Sequence, residues 1–535
     1  MLERFFLTNI NESNKEAKFY KLYKKILKNK DKYRRRKIKL NQYIVNSLFY
    51  YLINYGILEY IDLKNIDISN IDLKEYKYIS FENTNINLDP QKLKNKSIKN
   101  WNLKGIDLSD KDFTGVDIEG ANLEGTNAKI NPQLVKNKSV FETNLNGLNL
   151  KGVDFTGVNI EMTNLKGTNA SINPQKVKDK SLFYTNLSGL NLKGMNFTKV
   201  NVEGANLEDT NASIDPQLVK NKSFFKTNLK GLNLKGKDFT GVDVKEANLE
   251  GTNTTINLQK IKDKSLSRTN LKGVDLSKMD FTGVNVEMAN LENTKANIDP
   301  QKVKDKSLFN TNLKGNNLSC KNFSGVKIEG VNLEGTNAKI NPQSVKGKNM
   351  ANGVFNGLDF SFMCFDGVYL NRTSLVNAKA NIDPQRLFFK SIRSCNFENV
   401  DLSNKDFTGV DIEGANLKGT KANIDPQKVK GKSLFKTNLS GLDLSKKDFS
   451  SVLIVNANLE NTKANIDPQK IFDKSLYNTN VCGLKFDNVY FNNVNIIGTK
   501  FSKDIKIKKY PIRYILKMLI IEIKINISDL LFELF

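Results

Sequence analysis

From Leu88 to Phe501 the chain places Leu, Ile, Val, Phe or Met at every fifth position, and a two-residue insertion recurs at a fixed longer interval. After Pro216 it reads QLVKN KSFFK TNLKG LNLKG KDFTG VDVKE ANLEG, then TN, then TTINL. The eight centres of that stretch are Val219, Phe224, Leu229, Leu234, Phe239, Val244, Leu249 and Ile256. Eight fives and the inserted pair make a repeat of 42 residues, marked by Pro90, Pro132, Pro174, Pro216, Pro300, Pro342, Pro384, Pro426 and Pro468. Leu258 stands at the one skipped proline position, and Pro511 falls outside the series. The inserted pair is Thr-Asn or Thr-Lys, as at Thr210-Asn211 and Thr462-Lys463, except for Ala378-Lys379. No copy gains or loses a residue, and so strict a period predicts stacked units that each touch only their neighbours.

A period of five is neither the 3.6 of a helix nor the 2 of a simple strand. Two positions two residues apart point to the same side of an extended chain. In each five the centre is apolar and the residue two before it is often small or apolar (Ala121, Val116, Leu232, Ala457), so both positions can face one interior. The residue between them is usually Asn or Asp and faces out. The last is often Gly, which accepts a corner conformation. Four such sides close a square coil, two coils make one repeat, and ten repeats make about twenty coils stacked about 4.8 Å apart, a rod on the order of 100 Å long.

The fives ANLEG (121–125 and 247–251), ANIDP (296–300 and 380–384) and ANLKG (415–419) resemble the A(D/N)LXX consensus of the pentapeptide-repeat family. The resemblance covers about residues 61–503 and implies an all-β fold, a right-handed quadrilateral β-helix. A leucine-rich horseshoe needs one strand and a fixed Asn every 20–29 residues, which does not replace a period of five.

One centre is Phe in every copy: Phe113, Phe155, Phe197, Phe239, Phe281, Phe323, Phe365, Phe407, Phe449 and Phe491. One coil away the same side carries Val135, Val177, Val219, Ile261, Val303, Val345, Leu387, Val429 and Ile471. Large and small residues alternate along this column, as filling a narrow core requires. Lysine sits at an inward position in all ten repeats: Lys96, Lys138, Lys180, Lys222, Lys264, Lys306, Lys348, Lys390, Lys432 and Lys474. Burying ten ammonium groups is prohibitive. The segment D/N-P-Q-x-V-K-x-K is therefore expected to bulge or widen at a corner, with a snorkelling stem or a short protruding helical turn as alternatives.

Charge adds an asymmetry. The net charge is +25, and residues 1–60 alone hold 14 basic and 5 acidic residues. Lys follows the centre of the QxV five at Lys94, Lys136, Lys178, Lys220, Lys262, Lys304, Lys346 and Lys430, a basic stripe. Glu119, Glu124, Glu203, Glu208, Glu329 and Glu334 lie on other sides, so a basic and a mildly acidic side are expected. In the 343–378 copy, VFNGL DFSFM CFDGV YLNRT adds Phe, Tyr and Arg372 at outer positions, a candidate contact patch or ordinary drift.

The two ends are not repeat. In residues 1–60, Phe19, Leu22, Tyr23, Ile26 and Leu27 recur at helical spacing, and residues 40–58 form a second apolar segment stopped by Gly56. A short helical cap over the first open coil is expected, since uncapped sheet edges aggregate. Arg34, Arg35 and Arg36, in the run 28–39, are the candidate contact to nucleic acid or an anionic membrane surface. The first coil, residues 61–75, slips register before Phe81. The apolar tail, residues 504–535, is expected to seal the last coil or to form a homodimer contact, as some pentapeptide-repeat proteins do.

The chemistry is sparse. There is no histidine, which excludes imidazole mechanisms and the commonest metal ligand. Carboxylates follow the repeat and form no unique pair, and no phosphate-binding glycine loop occurs. No enzyme activity, cofactor or metal is expected. Cys320, Cys364, Cys395 and Cys482 form no CxxC pair and fit free thiols in a reducing compartment. With no signal-peptide core near the first residue and no membrane-length apolar run, the expectation is a cytoplasmic protein without a membrane span, although a secreted effector also fits the family. The readings that follow are a rod-like scaffold for an unidentified protein partner, or a nucleic-acid or anionic-surface binder. The resemblance adds a third, since some family members mimic DNA and bind type II topoisomerases, but those rods are strongly negative and this chain is +25.

Overall fold

In the computed structural model the described residues are 15–28, 32–33, 37–40, 42–69, 71, 78–486, 489 and 491–502. The chain divides into two compact bodies, Met1–Val274 and Asp275–Phe535.

The N-terminal body begins with helix α1 (Lys15–Lys28), whose Phe19, Leu22 and Ile26 are buried at helical spacing while Leu27 is exposed. Helix α2 (Gln42–Asn54) buries Ile44, Val45, Leu48, Phe49 and Leu52. The Phe19 ring lies 5.1 Å from Tyr51 and 4.9 Å from Tyr55, which ties the two helices together. Gly56, at φ +61°, ends α2. Between the helices, strand β1 (Ile38–Lys39) pairs in parallel with β2 (Ile61–Asp62), so the edge of the first coil is hydrogen-bonded to this segment. Lys37 donates to the Glu59 and Asn83 carbonyls, at 2.6 and 2.5 Å, beside the same edge.

The repeats of both bodies coil with parallel bridges from each turn of the coil to the next. In the N-terminal body Asn102, Asn122, Asn144, Asn164, Asn186 and Asn206 stand one above another. The steps alternate between 20 and 22 residues, because the inserted pair lengthens every second coil. This is a parallel repeat β-helix, whose sides are too short to register as long strands. Inside the repeats, β3 (Asp359–Phe360) and β4 (Lys379–Ala380) pair in parallel over two residues each in the C-terminal body.

Each five folds for identifiable reasons. The Asp or Asn before the centre accepts from the N–H two residues on, as Asp112 does from Thr114 at 2.9 Å. The N–H three residues after a centre donates back to it, as Val116 does to Phe113 at 3.0 Å, and Gly115 takes φ +70° between them. That is a type II turn, whose third position requires a positive φ. The proline corner is built differently. Asn131 accepts from Gln133 N–H at 3.1 Å, Leu134 N–H closes on Asn131 at 3.0 Å, and Pro132 supplies a preset φ with no N–H to satisfy. Gln133 Nε2 then reaches the next coil and donates to Thr156 O at 2.6 Å. Gln91, Gln175, Gln217, Gln301, Gln385 and Gln427 repeat this clamp. The inserted Thr points inward, and Thr210 donates to Leu207 O at 2.8 Å.

The interior is mainly apolar, with columns of buried Thr and Ser running through it. Every centre from Leu88 through Val481 is buried, while Phe486, Phe491, Ile496 and Phe501 are half-buried. Thr185 and Thr227 lie wholly inside and donate to Ile160 O and Val202 O of the preceding coil, at 2.9 and 2.8 Å. Cys395 takes the Thr place in its repeat, with Sγ 2.9 Å from Leu370 O. Burial pushes its thiol up to about 12, so it stays protonated and donates.

The ten lysines of the KS motif do not enter the interior. Each has a positive φ, such as +48° at Lys138, and in most repeats the residue before it does too, such as Asn137 at +57°. Lys138 N–H bonds to Val135 O at 3.1 Å and Ser139 N–H to Lys136 O at 3.3 Å, two overlapping tight turns through left-handed residues. The second left-handed residue rotates lysine outward, and Ser139 takes the shielded place, donating to Glu119 at 2.6 Å. The expected bulge is therefore a tight turn. Nine of the lysines are exposed and Lys348 is half-buried.

Core and corners can each be tested. Phe239 is buried with its ring 6.3 Å from Phe224. Phe239→Ala should cost about 3–5 kcal/mol by chemical denaturation with the far-UV spectrum unchanged. The corner aspartates set the acid limit. Hydrogen bonds from Ser403 and Ser445 hold Asp401 and Asp443 down to about 2, and Asp112, Asp154, Asp238, Asp406 and Asp448 are lowered by the same kind of partner. A depressed carboxyl stabilises the fold above its unfolded value of about 3.9, and that stabilisation is lost as pH falls toward about 2. The thermal midpoint should stay flat from neutral pH to about 5 and drop below about 4. With no histidine in the chain, a step between about pH 6 and 7 would contradict this.

Candidate interaction surface

The stripe lysines Lys94, Lys136, Lys178, Lys220, Lys262, Lys304, Lys346 and Lys430 are all exposed. All but Lys94 open the three-residue turns described above. Their backbone is fixed at both ends, because the preceding Val or Ile is a buried centre and the residue that closes the turn, Ser in all but one of these repeats, is shielded. Lys136, Lys262 and Lys430 reach across to Asp117, Asp243 and Asp411 of the coil before, at 3.3, 3.4 and 3.7 Å. The equivalent residues opposite Lys178, Lys220, Lys304 and Lys346 are Asn159, Asn201, Asn285 and Lys327, so the stripe is neutralised only in places. Arg34, Arg35 and Arg36 lie outside the described residues, as does the tail from residue 503 onward.

The mildly acidic side expected from the Glu column is instead a column of mixed sign. Glu124 pairs with Lys104, Glu208 with Lys230, Glu334 with Lys314 and Glu398 with Lys418, each at 3.2 Å. Glu119 pairs with Lys99 at 2.9 Å, which raises the Lys99 pKa. The cause is visible in the sequence once the coil length is known. NLK and NLE fives follow one another coil by coil in four repeats, as at 102–104 and 122–124 or 312–314 and 332–334, so a Glu lands beside a Lys. Exposed pairs of this kind contribute about 0–1 kcal/mol each and mainly cancel the field of that side.

Between these charges runs an asparagine ladder that the outward reading of the middle residue passed over. Asn144 Nδ2 donates to Asn122 Oδ1, Asn164 to Asn144 and Asn186 to Asn164, each at 2.9 Å. The C-terminal body repeats it at Asn416 to Asn396 (2.9 Å) and Asn438 to Asn416 (2.8 Å). The ladder is interrupted at Val354 and Ser374, in the same stretch whose outer aromatics the sequence singled out. There Phe362 is 98% exposed, whereas Phe355, Phe360 and Phe365 are inside. The next turn, Phe388–Lys390, carries Phe388 and Phe389 where most of the other turns carry Lys and Asn, Asp or Gly. Both are exposed, and Tyr369 lies 5.9 Å from Phe388. Sequence reading missed the turn because the pair falls after the irregular copy, in a five whose centre, Leu387, is ordinary.

Among the described residues no group of His, Cys, Asp and Glu is arranged to hold a metal ion, and no helix is long and apolar enough to cross a membrane. Cys320 and Cys364 are exposed free thiols.

No curated protein matches the chain. Among solved structures, HetL, a pentapeptide repeat protein involved in heterocyst differentiation regulation from the cyanobacterium Nostoc sp. strain PCC 7120, is 16% identical. The match covers 60% of this chain and 89% of HetL, with a TM-score of 0.09. A trypsin-treated variant of QnrB1, a plasmid-mediated fluoroquinolone resistance protein, is 14% identical over 52% of this chain and 90% of its own, with a TM-score of 0.12. At such scores neither likeness bears on function. The family model for pentapeptide repeats matches in eight copies, over residues 99–127, 142–169, 181–211, 223–253, 265–295, 307–339 and 391–422. These copies overlie the coils whose inner centres, corner turns and ladders are described above, and the chain belongs to the pentapeptide-repeat family.

Proposed function

We propose that this protein is a non-enzymatic scaffold of the pentapeptide-repeat type, a module that holds outward side chains in fixed register for a protein partner. In this reading each body is a right-handed, four-sided coil and the ten repeats make about twenty coils. Residues 1–60 cap the first coil, and residues 504–535 seal the last one or pair two copies. The cytoplasm is the working compartment.

The observation that carries the proposal is the recurrence of one rigid turn. Lys136–Lys138, Lys178–Lys180 and Lys220–Lys222 share the same backbone within one body, as do Lys304–Lys306, Lys346–Lys348 and Lys430–Lys432 within the other. Conformational entropy is already spent there by the fold, so a partner that binds these side chains orders little backbone. The corner carboxylates support a non-catalytic role. Asp112, Asp238 and Asp406 are occupied by local Thr hydroxyls and N–H groups, which lowers their pKa away from general acid–base work near neutrality.

The exposed turn lysines favour one second reading, a nucleic-acid or anionic-surface binder. Affinity capture with the full chain, with and without nuclease and across a salt series, separates the two. The scaffold reading expects a defined protein retained after nuclease treatment, with modest salt dependence. Capture abolished by nuclease, or affinity for DNA that collapses between low and physiological salt, would overturn it.

A further inference from the structure

The turn at 388–390 departs furthest from the pattern of the other turns, and it does so at a conformational cost. Phe389 has φ +56°, in the left-handed region that a bulky aromatic rarely occupies, where the repeat otherwise places Asn, Asp or Gly. Its side chain gains no burial in return, since Phe389 is 73% exposed and Phe388 45% exposed. The two rings lie 4.0 Å apart, and Tyr369 packs edge-on to Phe388 at 5.9 Å. Tyr369 and Phe388 hold the same register as Asp411 and Lys430 in the following repeat, which form an ion pair at 3.7 Å. An aromatic ledge thus replaces an ion pair, in the stretch that has also lost its ladder asparagines at Val354 and Ser374. Strained, exposed and unrepaid residues cluster where a surface is used.

The surroundings restrict what the ledge accepts. Lys346 and Lys430 are exposed on the turns one repeat before and one repeat after, and Lys390 shares the turn. Of the nearby guanidinium groups, Arg386 is engaged with Asp366 at 3.0 Å and Arg393 with Glu413 at 3.5 Å, while Arg372 is exposed. A phosphate backbone calls on several guanidinium groups together, and with two of the three already held by carboxylates the ledge suits an acidic peptide better than nucleic acid. The lysines on successive turns stand two coil spacings apart, about 9.6 Å, which an extended peptide spans in about three residues.

We propose that Tyr369, Phe388 and Phe389 form the docking site for an acidic protein segment, which lays an apolar side chain on the ledge and places one carboxylate on Lys390 beside it and another about three residues away on Lys346. This rests on the scaffold reading and assigns it a partner chemistry and a place.

The test uses the full chain and the double substitution Phe388→Lys with Phe389→Asn, which restores the pattern of the other repeats. Asn relieves the left-handed strain, so the thermal midpoint should hold or rise, and loss of binding is not loss of fold. A random linear peptide display library selected on the full chain should enrich peptides with a large apolar residue flanked by Asp or Glu. Those peptides should bind the double variant about tenfold more weakly or worse. Enrichment without that pattern, or equal affinity for the variant, overturns the proposal. Tighter binding of an oligothymidylate, lost in the same variant, overturns it in favour of nucleic acid. If the double variant still captures the protein partner of the full chain, the scaffold reading stands and the ledge assignment falls. If the full chain captures no protein, the scaffold reading itself fails.

Discussion

The structure depends on the hydrogen bond that runs from one coil to the next beside the ladder asparagines. Leu145 N–H donates to Asn164 O at 2.9 Å, Leu165 to Asn186 at 2.9 Å and Leu187 to Asn206 at 2.9 Å, and each asparagine N–H donates back to the coil before. A side of a coil is too short to be a stable strand by itself, since an isolated pair of short strands is marginal in water. Only stacking satisfies its backbone. Stacking in turn fixes the coil length, because one residue more or fewer would throw every inner side chain to the outside. That constraint explains why no repeat varies from 42 residues while the outer positions drift freely.

The polar groups divide into those that hold the register and those that are displayed. Corner Asp and Asn close their own turns, Gln133 and its counterparts clamp one coil to the next, inner Thr hydroxyls satisfy carbonyls of the coil before, and the Asn ladder runs along one side. Lys and Glu on the ladder side are paired coil to coil and largely cancel. What remains available on the outside is the recurrent turn with its lysines, and in one place the aromatic ledge that interrupts them. A surface built this way presents chemistry by position along a repeat instead of in a pocket.

Much of this was legible in the sequence. The period of five, the inserted pair and the apolar centres were enough for a stacked coil, and glycine at the corner follows from the need for a positive φ, as at Gly115. The Asn ladder was not legible from one five, because its partner lies 20 or 22 residues away and appears only once coil length is known. The lysine turn was visible as a contradiction, ten charges at an inward position, but its solution lies in two left-handed residues that no composition rule announces. The Lys–Glu column was missed because each Glu was placed on its side of the coil without the Lys that stands beside it one coil away. The basic run at Arg34–Arg36 and the apolar tail lie outside the described residues.

The central claim is that inter-coil backbone bonds, and not the corners alone, hold the fold. Native-state hydrogen exchange tests it most directly. The amides of Leu123, Leu145, Leu165 and Leu187, each bonded to an asparagine carbonyl of the next coil, should be among the slowest to exchange and should do so as a group. The Lys151 amide, held by the side chain of Asn149 at an exposed corner, should exchange far sooner. If the leucine amides exchange as fast as Lys151, the coils are not held together by these bonds and the account fails.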